Sequence, residues 1–146
     1  GQGISGLFAR AQVTKLERQL VEQTLQATGQ FLWVGQESDL DAVTALSGSG
    51  PAYVFYFMEH MMAAGVAMGL SAEQAEKLTL ATFSGATHLA ASSAEPAAVL
   101  RERVTSKGGT TYAALTAMQS AQVGENIEAA LHRAQVRAQE LGAEFG

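Results

Sequence analysis

Of the 146 residues, Ser106-Lys107-Gly108-Gly109-Thr110-Thr111 has the spacing best suited to chemistry. Paired glycines lack Cβ atoms, so neighbouring backbone N–H groups can converge on one point. A helix starting just after them would add the positive end of its dipole. Such a nest suits a carboxylate or a phosphate. The hydroxyls of Ser106, Thr110 and Thr111 can donate to that anion or to a second polar atom of the molecule carrying it. Spacing alone leaves two readings open: a ligand-binding loop, or a plain turn in which a threonine caps the next helix.

Other candidates are weaker. Gly48-Ser49-Gly50 resembles a phosphate-cradling turn in outline, but the third glycine of a dinucleotide fingerprint is missing and Pro51 removes a backbone donor. It reads as a tight loop that lets two elements pack closely, or as the margin of a binding cleft. His60, His88 and His132 fall in three separate helical stretches without the i, i+4 pairing of a helical metal site, so no metal is expected. Glu17, Glu22, Glu73, Glu76, Glu125, Glu128 and Glu140 recur on polar helix faces, where solvation accounts for them. Glu59 differs, because inside an apolar helix it must pair, protonate or reach the edge, which makes it a candidate for an interface network.

The elements that position these residues are read from apolar periodicity. Residues 1–10 are too glycine-rich for a helix and read as extended, a linker or strand end. Thr14 can cap a helix with Leu16, Leu20, Val21, Thr24 and Leu25 on one stripe and Gly29 as its left-handed stop. Phe31 to Gly35 is β-favouring but too short to separate an edge strand from a connector. Asp39 or Ser38 then caps a short helix through Leu46, before a glycine-rich break at Ser47 to Pro51. Pro51 suits the first turn of the next helix, Ala52 to Met68, which ends at Gly69. That helix is apolar on every side: Val54, Phe57, Met58 and Met61 form one stripe, while Tyr53, Phe55, Tyr56 and Val66 fill the rest. One small domain can hardly enclose it, so a second copy of the chain is expected to supply cover.

Ser71 with Gln74 forms a capping box for a helix from Ala72 to Ala91, in which Leu78, Phe83, Ala86 and Leu89 are buried candidates and Ser84-Gly85-Ala86 admits a close neighbour. Pro96 begins a shorter helix through Arg103. Beyond the glycine pair, Tyr112 to Ser120 and Val123 to Leu141 are helical, the last with Gly142 as a stop.

Composition narrows the function classes. A chain of 146 residues has room for one domain able to bury a core of its own, and 47% hydrophobic against 16% charged residues argues for order and burial. A net charge of −5 offers no basic stripe for phosphates, so neither nucleic acid nor an anionic membrane is an expected partner. Glu59 and His60 interrupt the longest apolar stretch, which is then too short to span a bilayer. With no cysteine there is no disulfide framework or thiol nucleophile, which suits a reducing compartment, and the cytoplasm is the expected location. The chain opens at Gly1 without a signal run and reads as a piece of a longer polypeptide.

Two ordered blocks carry a family resemblance. Leu100-Arg101-Glu102-Arg103-Val104-Thr105-Ser106-Lys107-Gly108-Gly109-Thr110-Thr111-Tyr112-Ala113-Ala114-Leu115, with Pro96 before it, resembles the signature of pyrroline-5-carboxylate reductases. Ala45-Leu46-Ser47-Gly48-Ser49-Gly50-Pro51-Ala52-Tyr53 resembles a second block of that family, and Gly3 to Leu7 and Gly69-Leu70-Ser71 also match. Lys107 stands where many relatives have proline, and the stretch from Pro96 to Leu100 is one residue longer than in some of them.

The resemblance implies an all-α domain, the C-terminal part of a 6-phosphogluconate dehydrogenase-like reductase, interleaved with a second copy as a homodimer or within a higher assembly. It further implies that residues 1–13 link to a Rossmann domain outside this chain and that residues 14–146 form the helical dimerisation and substrate-binding domain. The activity implied is the last step of proline biosynthesis, an oxidoreductase reaction on a C=N bond. NADPH or NADH delivers hydride to Δ1-pyrroline-5-carboxylate, giving L-proline. Ser106, Gly108, Gly109, Thr110 and Thr111 would bind the substrate, with Thr111 near the ring nitrogen as the polarising or proton-donating contact. No strand-helix-strand pattern with a glycine fingerprint is read here, so the cofactor would be bound mainly by the other domain, and the piece alone would be inactive. A purely structural helical dimerisation module without a ligand is the alternative. A helical domain from another short-substrate NADP-dependent dehydrogenase is a third reading.

Overall fold

Glycine-rich Gly3 to Leu7, extended as the composition requires, forms a strand, β1 (Gly3–Leu7). The structure, a computed structural model, describes residues 3–145, so the expectation for Gly1 and Gln2 lies outside it. By its contacts the chain divides into two compact units, residues 3–51 with 128–145, and residues 52–127.

In the first unit β1 leads into α1 (Lys15–Leu25) and then β2 (Gly29–Trp33). The strands pair in parallel, Gly3 opposite Gly29 and Leu7 opposite Trp33, and Val34 N–H extends the ladder to the Leu7 carbonyl at 2.8 Å. Gly29 is therefore not the stop of α1, as expected, but the first residue of β2. Its φ of +153° and the Gly3 carbonyl, which a Cβ would strike, explain the glycine. Trp33 fastens the two elements: its Nε1 donates to Glu22 at 2.7 Å and the Arg18 guanidinium lies 5.1 Å from its ring centroid.

The next helix starts at Asp39, whose carboxylate accepts from Gln36 N–H at 3.1 Å, while Ser38 is itself helical and makes no side-chain cap. The expected single helix through Leu46 is instead α2 (Asp39–Val43) followed by a π-helical turn, Thr44–Gly48, closed by Ser49 N–H on the Thr44 carbonyl at 2.9 Å. The expected break at Ser47 to Pro51 is thus absent. Pro51 needs no donor in the first turn, so the chain passes through Ser49 straight into α3 (Gly50–Ala67).

In the second unit α3 ends in a Schellman motif: Leu70 N–H reaches the Gly65 carbonyl at 3.1 Å, Gly69 N–H reaches that of Val66 at 3.0 Å, and Gly69 takes a φ of +101°. The capping box at Ser71 is present. Ser71 Oγ accepts from Gln74 N–H at 3.2 Å and Gln74 Oε1 accepts from Ser71 N–H at 2.9 Å, opening α4 (Ala72–Ser92). α3 and α4 meet where small residues allow it, since a Cβ on Gly65 would lie 3.0 Å from that of Ala75. Gly65, Ala75 and Thr79 are the buried residues of this contact. The expected buried set on α4 does not hold in the single chain: Phe83 is half-buried, and Leu78, Ala86 and Leu89 are exposed. Nothing of this chain comes within reach of a Cβ on Gly85 either.

α5 (Ala97–Arg103), α6 (Thr110–Ser120) and α7 (Val123–Phe145) complete the order. Gln122, with φ of 54°, makes the left-handed turn between the last two. Gly142 does not stop α7. It lies inside the helix, beside Arg137, which bonds both Glu140 at 2.8 Å and Glu144 at 3.1 Å. Those two contacts hold the guanidinium's pKa above its ordinary value.

Among the described residues the chain is all-α apart from the strand pair, and the core of its own that its length allows is small. Among the described residues the buried hydrophobic side chains are Ala45 and Ala75. The apolar helix α3 stands open, with Phe55 66% and Tyr56 62% exposed, as its all-round apolar surface implies for a chain awaiting cover. No helix among the described residues is long and apolar enough to cross a membrane.

Candidate functional site

The loop from Val104 to Gly109 is held at both ends. Thr105 takes two carbonyls at the end of α5, its N–H on Glu102 at 3.0 Å and its hydroxyl on Arg101 at 2.6 Å. A β-turn then closes from the Ser106 carbonyl to Gly109 N–H at 3.0 Å. Its third residue, Gly108, has a φ of +75°, a conformation in which any side chain is strained. Gly109 is glycine for another reason. Its φ of −81° suits any residue, but a Cβ there would sit 2.5 Å from Ser106 Oγ. Conformation requires the first glycine, whereas a side chain at the second would displace the Ser106 hydroxyl from its present place.

Gly109 is also the N-cap of α6, and no side chain caps it. The threonine cap left open by spacing is therefore absent, because Thr110 and Thr111 are already the first two residues of the helix. Within the described residues the backbone N–H groups of Thr110, Thr111 and Tyr112 have no hydrogen-bond partner, the first bond being Ala113 N–H to the Gly109 carbonyl at 3.1 Å. There is no acidic residue in that first turn. Three donors and the positive end of the helix dipole thus come together at the start of α6, an arrangement that favours an anion.

Each residue singled out by spacing lies on this one stretch. Ser106, Gly108 and Thr110 are exposed, and Gly109 and Thr111 are half-buried. Gly109 N–H, counted among the convergent donors, is spent inside the turn, and Tyr112 N–H takes its place. That exchange follows from where the helix starts, two residues before the expected Tyr112. Lys107 is exposed at the second position of the turn. Arg103, nearby in sequence, is paired with Glu95.

The remaining candidates are arranged differently. Ser47 and Gly48 line a cleft of about 530 Å³ together with Gly3, Gly6, Val43 and Pro51. Gly6 permits the close approach there, since its Cβ would fall 2.7 Å from a Val43 methyl. Gly48 thus stands at a cleft margin, but the close packing expected of the Gly48-Ser49-Gly50 segment falls to Gly6, since a Cβ on Gly48 would meet only its own turn and one on Gly50 nothing within 4 Å. His132 lines a separate apolar hollow, and His60 stands edge-on to Tyr56 with ring centroids 4.4 Å apart. Glu59 reaches the surface of the single chain. Among the described residues no group of three His, Asp or Glu side chains is placed to hold a metal ion.

Parallel strands joined by a helix do occur, at β1-α1-β2, although the pattern was not read from sequence. They do not fit a dinucleotide. The β1-to-α1 connection, Phe8 to Thr14, contains no glycine. The start of α1 is already occupied: Thr14 accepts from Glu17 N–H at 3.3 Å, and the Glu17 carboxylate accepts from Thr14 N–H and from its hydroxyl, both at 2.8 Å. Those bonds, the backbone one foremost, hold the Glu17 carboxyl below its ordinary pKa. A carboxylate already sits where a phosphate would have to bind.

Comparison with known proteins shows the family. The family model described as pyrroline-5-carboxylate reductase dimerisation matches residues 37–141. Pyrroline-5-carboxylate reductase from Pseudomonas aeruginosa is 47% identical over 145 residues, covering 99% of this chain and 53% of that protein. The Vibrio alginolyticus protein of the same name is 40% identical, over 97% of this chain and 52% of its own length. A solved pyrroline-5-carboxylate reductase from Coxiella burnetii superposes with a TM-score of 0.89 at 40% identity, covering 94% of this chain and 51% of that one. The Plasmodium falciparum pyrroline carboxylate reductase solved with NADP bound gives 0.84 at 28% identity, covering 94% of this chain and 56% of that one. The chain spans about half the length of the curated relatives it matches.

Proposed function

We propose, from the premise that this chain belongs to the pyrroline-5-carboxylate reductase dimerisation family, that it is the self-associating, substrate-holding part of such a reductase. The reaction is hydride transfer from a reduced nicotinamide to the C=N bond of Δ1-pyrroline-5-carboxylate, giving L-proline. The uncapped start of α6 carries the reading. A small carboxylate supplies the acceptor oxygens that the N–H groups of Thr110, Thr111 and Tyr112 lack. Gly108 and Gly109 keep the approach free of side chains, and Ser106 adds a hydroxyl at its margin.

The chemical demands on these residues are modest. The nicotinamide supplies the hydride, and the protein must fix the ring, hold its carboxylate and favour the protonated imine. Thr111 is half-buried in the first turn, and the contact with the ring nitrogen is assigned to its hydroxyl. Its hydroxyl is a weak acid, so its part is to orient and polarise while water supplies the proton.

No dinucleotide cradle is available at α1, so NADPH or NADH is held mainly by residues outside this chain. The strand pair supports such a division. Parallel sheets are normally covered on both faces and contain several strands, whereas here two strands stand with α1, whose Leu16 and Leu20 are 75% and 64% exposed. Residues 3–34 then belong to a larger α/β sheet, and the helical domain begins near residue 37, later than residue 14. The open surface of α3 is the self-association face, giving a homodimer, and the cytoplasm is the compartment. The full-length protein should consume NADPH or NADH only when Δ1-pyrroline-5-carboxylate is present and should form L-proline. Failure with both cofactors would contradict the proposal.

A further inference from the structure

We infer that Thr105, outside the set that touches substrate, is a positioning residue that fixes the height and tilt of the substrate loop. The inference rests on the reading of the α6 start as the carboxylate site. Four residues, 106–109, separate Thr105 from the first free donor, and one turn closes them. The placement of the nest relative to α5 is therefore decided at Thr105. Its N–H and hydroxyl take the carbonyls of Glu102 and Arg101 at 3.0 and 2.6 Å, satisfying two of the acceptors that a helix end leaves open. It is half-buried, while Arg101 to Val104 and Ser106 to Gly108 are exposed, so the loop has no other buried side chain to hold it. Arg103, the last residue of α5, pairs with Glu95 just ahead of the helix start, which ties the two ends of α5 together.

The hydroxyl is the separable part of this anchor. Valine has the same branched shape, so Thr105→Val removes one hydrogen bond and leaves the backbone bond and packing in place. The Arg101 carbonyl is then open to solvent and the loop has one tether fewer. A carboxylate held by three converging N–H groups requires them to be in register, so looser placement weakens binding of substrate and transition state together. That pattern is a raised KM with kcat nearly unchanged.

The test is steady-state kinetics on the full-length protein carrying Thr105→Val, Thr105→Ala, Thr105→Ser or Thr111→Val. Both variants without a hydroxyl should raise KM for pyrroline-5-carboxylate about three- to tenfold, keep kcat within about twofold and leave KM for the nicotinamide unchanged. Thr105→Ser should restore the original KM. A merely structural role would lower the melting temperature or the yield of active protein without moving KM. An unchanged KM in Thr105→Val, or in Thr105→Ala should the valine variant not fold, overturns the inference, as does failure of serine to rescue. If Thr111→Val impairs turnover while the Thr105 variants are silent, this inference alone fails. If Thr111→Val is silent too, the carboxylate site itself is misplaced.

Discussion

The starts of α1 and α6 are built from the same backbone and end in opposite states. At α1, Thr14 and Glu17 close the first turn, and the Glu17 carboxylate sits at the positive end of the helix. At α6 the corresponding positions are Gly109 and Tyr112, no side chain caps the turn, and three N–H groups are unspent. A cap stabilises a helix by roughly 0.5–2 kcal/mol, so leaving it out forgoes local stability and leaves three backbone donors unspent. α4, with Ser71 and Gln74, is closed like α1. α2 and α5 also start without a side-chain cap, but only α6 among these three follows a glycine pair.

Removing the hydroxyl best placed to meet the imine should have the largest consequence. Thr111→Val in the full-length protein is expected to lower kcat/KM for pyrroline-5-carboxylate by about 10²-fold without weakening self-association, checked by sedimentation. Closing the open start comes next. Tyr112→Glu puts a carboxylate where α1 has Glu17, and it should raise KM for the anionic substrate at least about tenfold while holding or raising the melting temperature. A rise in stability with no change in KM would break the comparison. Gly108→Ala forces a side chain into the left-handed region, at a cost of about 1–2 kcal/mol, and thermal denaturation together with a raised KM should report it.

The smallest effect concerns the two closed starts. Ser71→Ala should cost about 1 kcal/mol at any pH between neutral and mildly acidic, because Gln74 does not titrate. The Thr14 box depends on Glu17, whose carboxyl is held below its ordinary pKa by its bonds to Thr14. The folded state favours the ionised form, so this contribution is full above the unfolded pKa and is lost as pH falls through the lowered folded value. Thermal melts of Thr14→Ala against the parent chain should show a difference that shrinks on acidification, while the Ser71→Ala difference stays level.

What the amino-acid order disclosed follows the range of the forces involved. The cap at Ser71, the glycine stop at Gly69, the start of α1 at Thr14 and the glycine pair with its threonines are local, decided within a turn or two, and were legible. The parallel pairing of Gly3–Leu7 with Gly29–Trp33 is not local, and its signal is two short apolar runs separated by a helix. Reading Gly29 as a helix stop hid it. The π turn at Thr44–Gly48, which runs on through Ser49 to α3, has no residue pattern that announced it. Gly142 reads as a stop only until Arg137 is seen to reach past it to Glu144.

At the candidate site, residue types singled out the segment but not which of its N–H groups are free. That depends on the turn consuming Gly109 N–H and on the helix starting at Thr110. The buried set on α4 is not met within the single chain, where the expected second copy is not present to cover it. Small residues, Gly65 and Ala75, make the contact within this chain, and the large ones are left for a surface outside it.

One measurement bears on the central claim most directly: a crystal structure of the full-length protein soaked with L-proline, read at the first turn of α6. The expected result places the carboxylate oxygens within hydrogen-bond distance of the N–H groups of Thr110, Thr111 or Tyr112, with the ring beside the Thr111 hydroxyl. Proline bound elsewhere in an active enzyme, with that turn still bare, would contradict it.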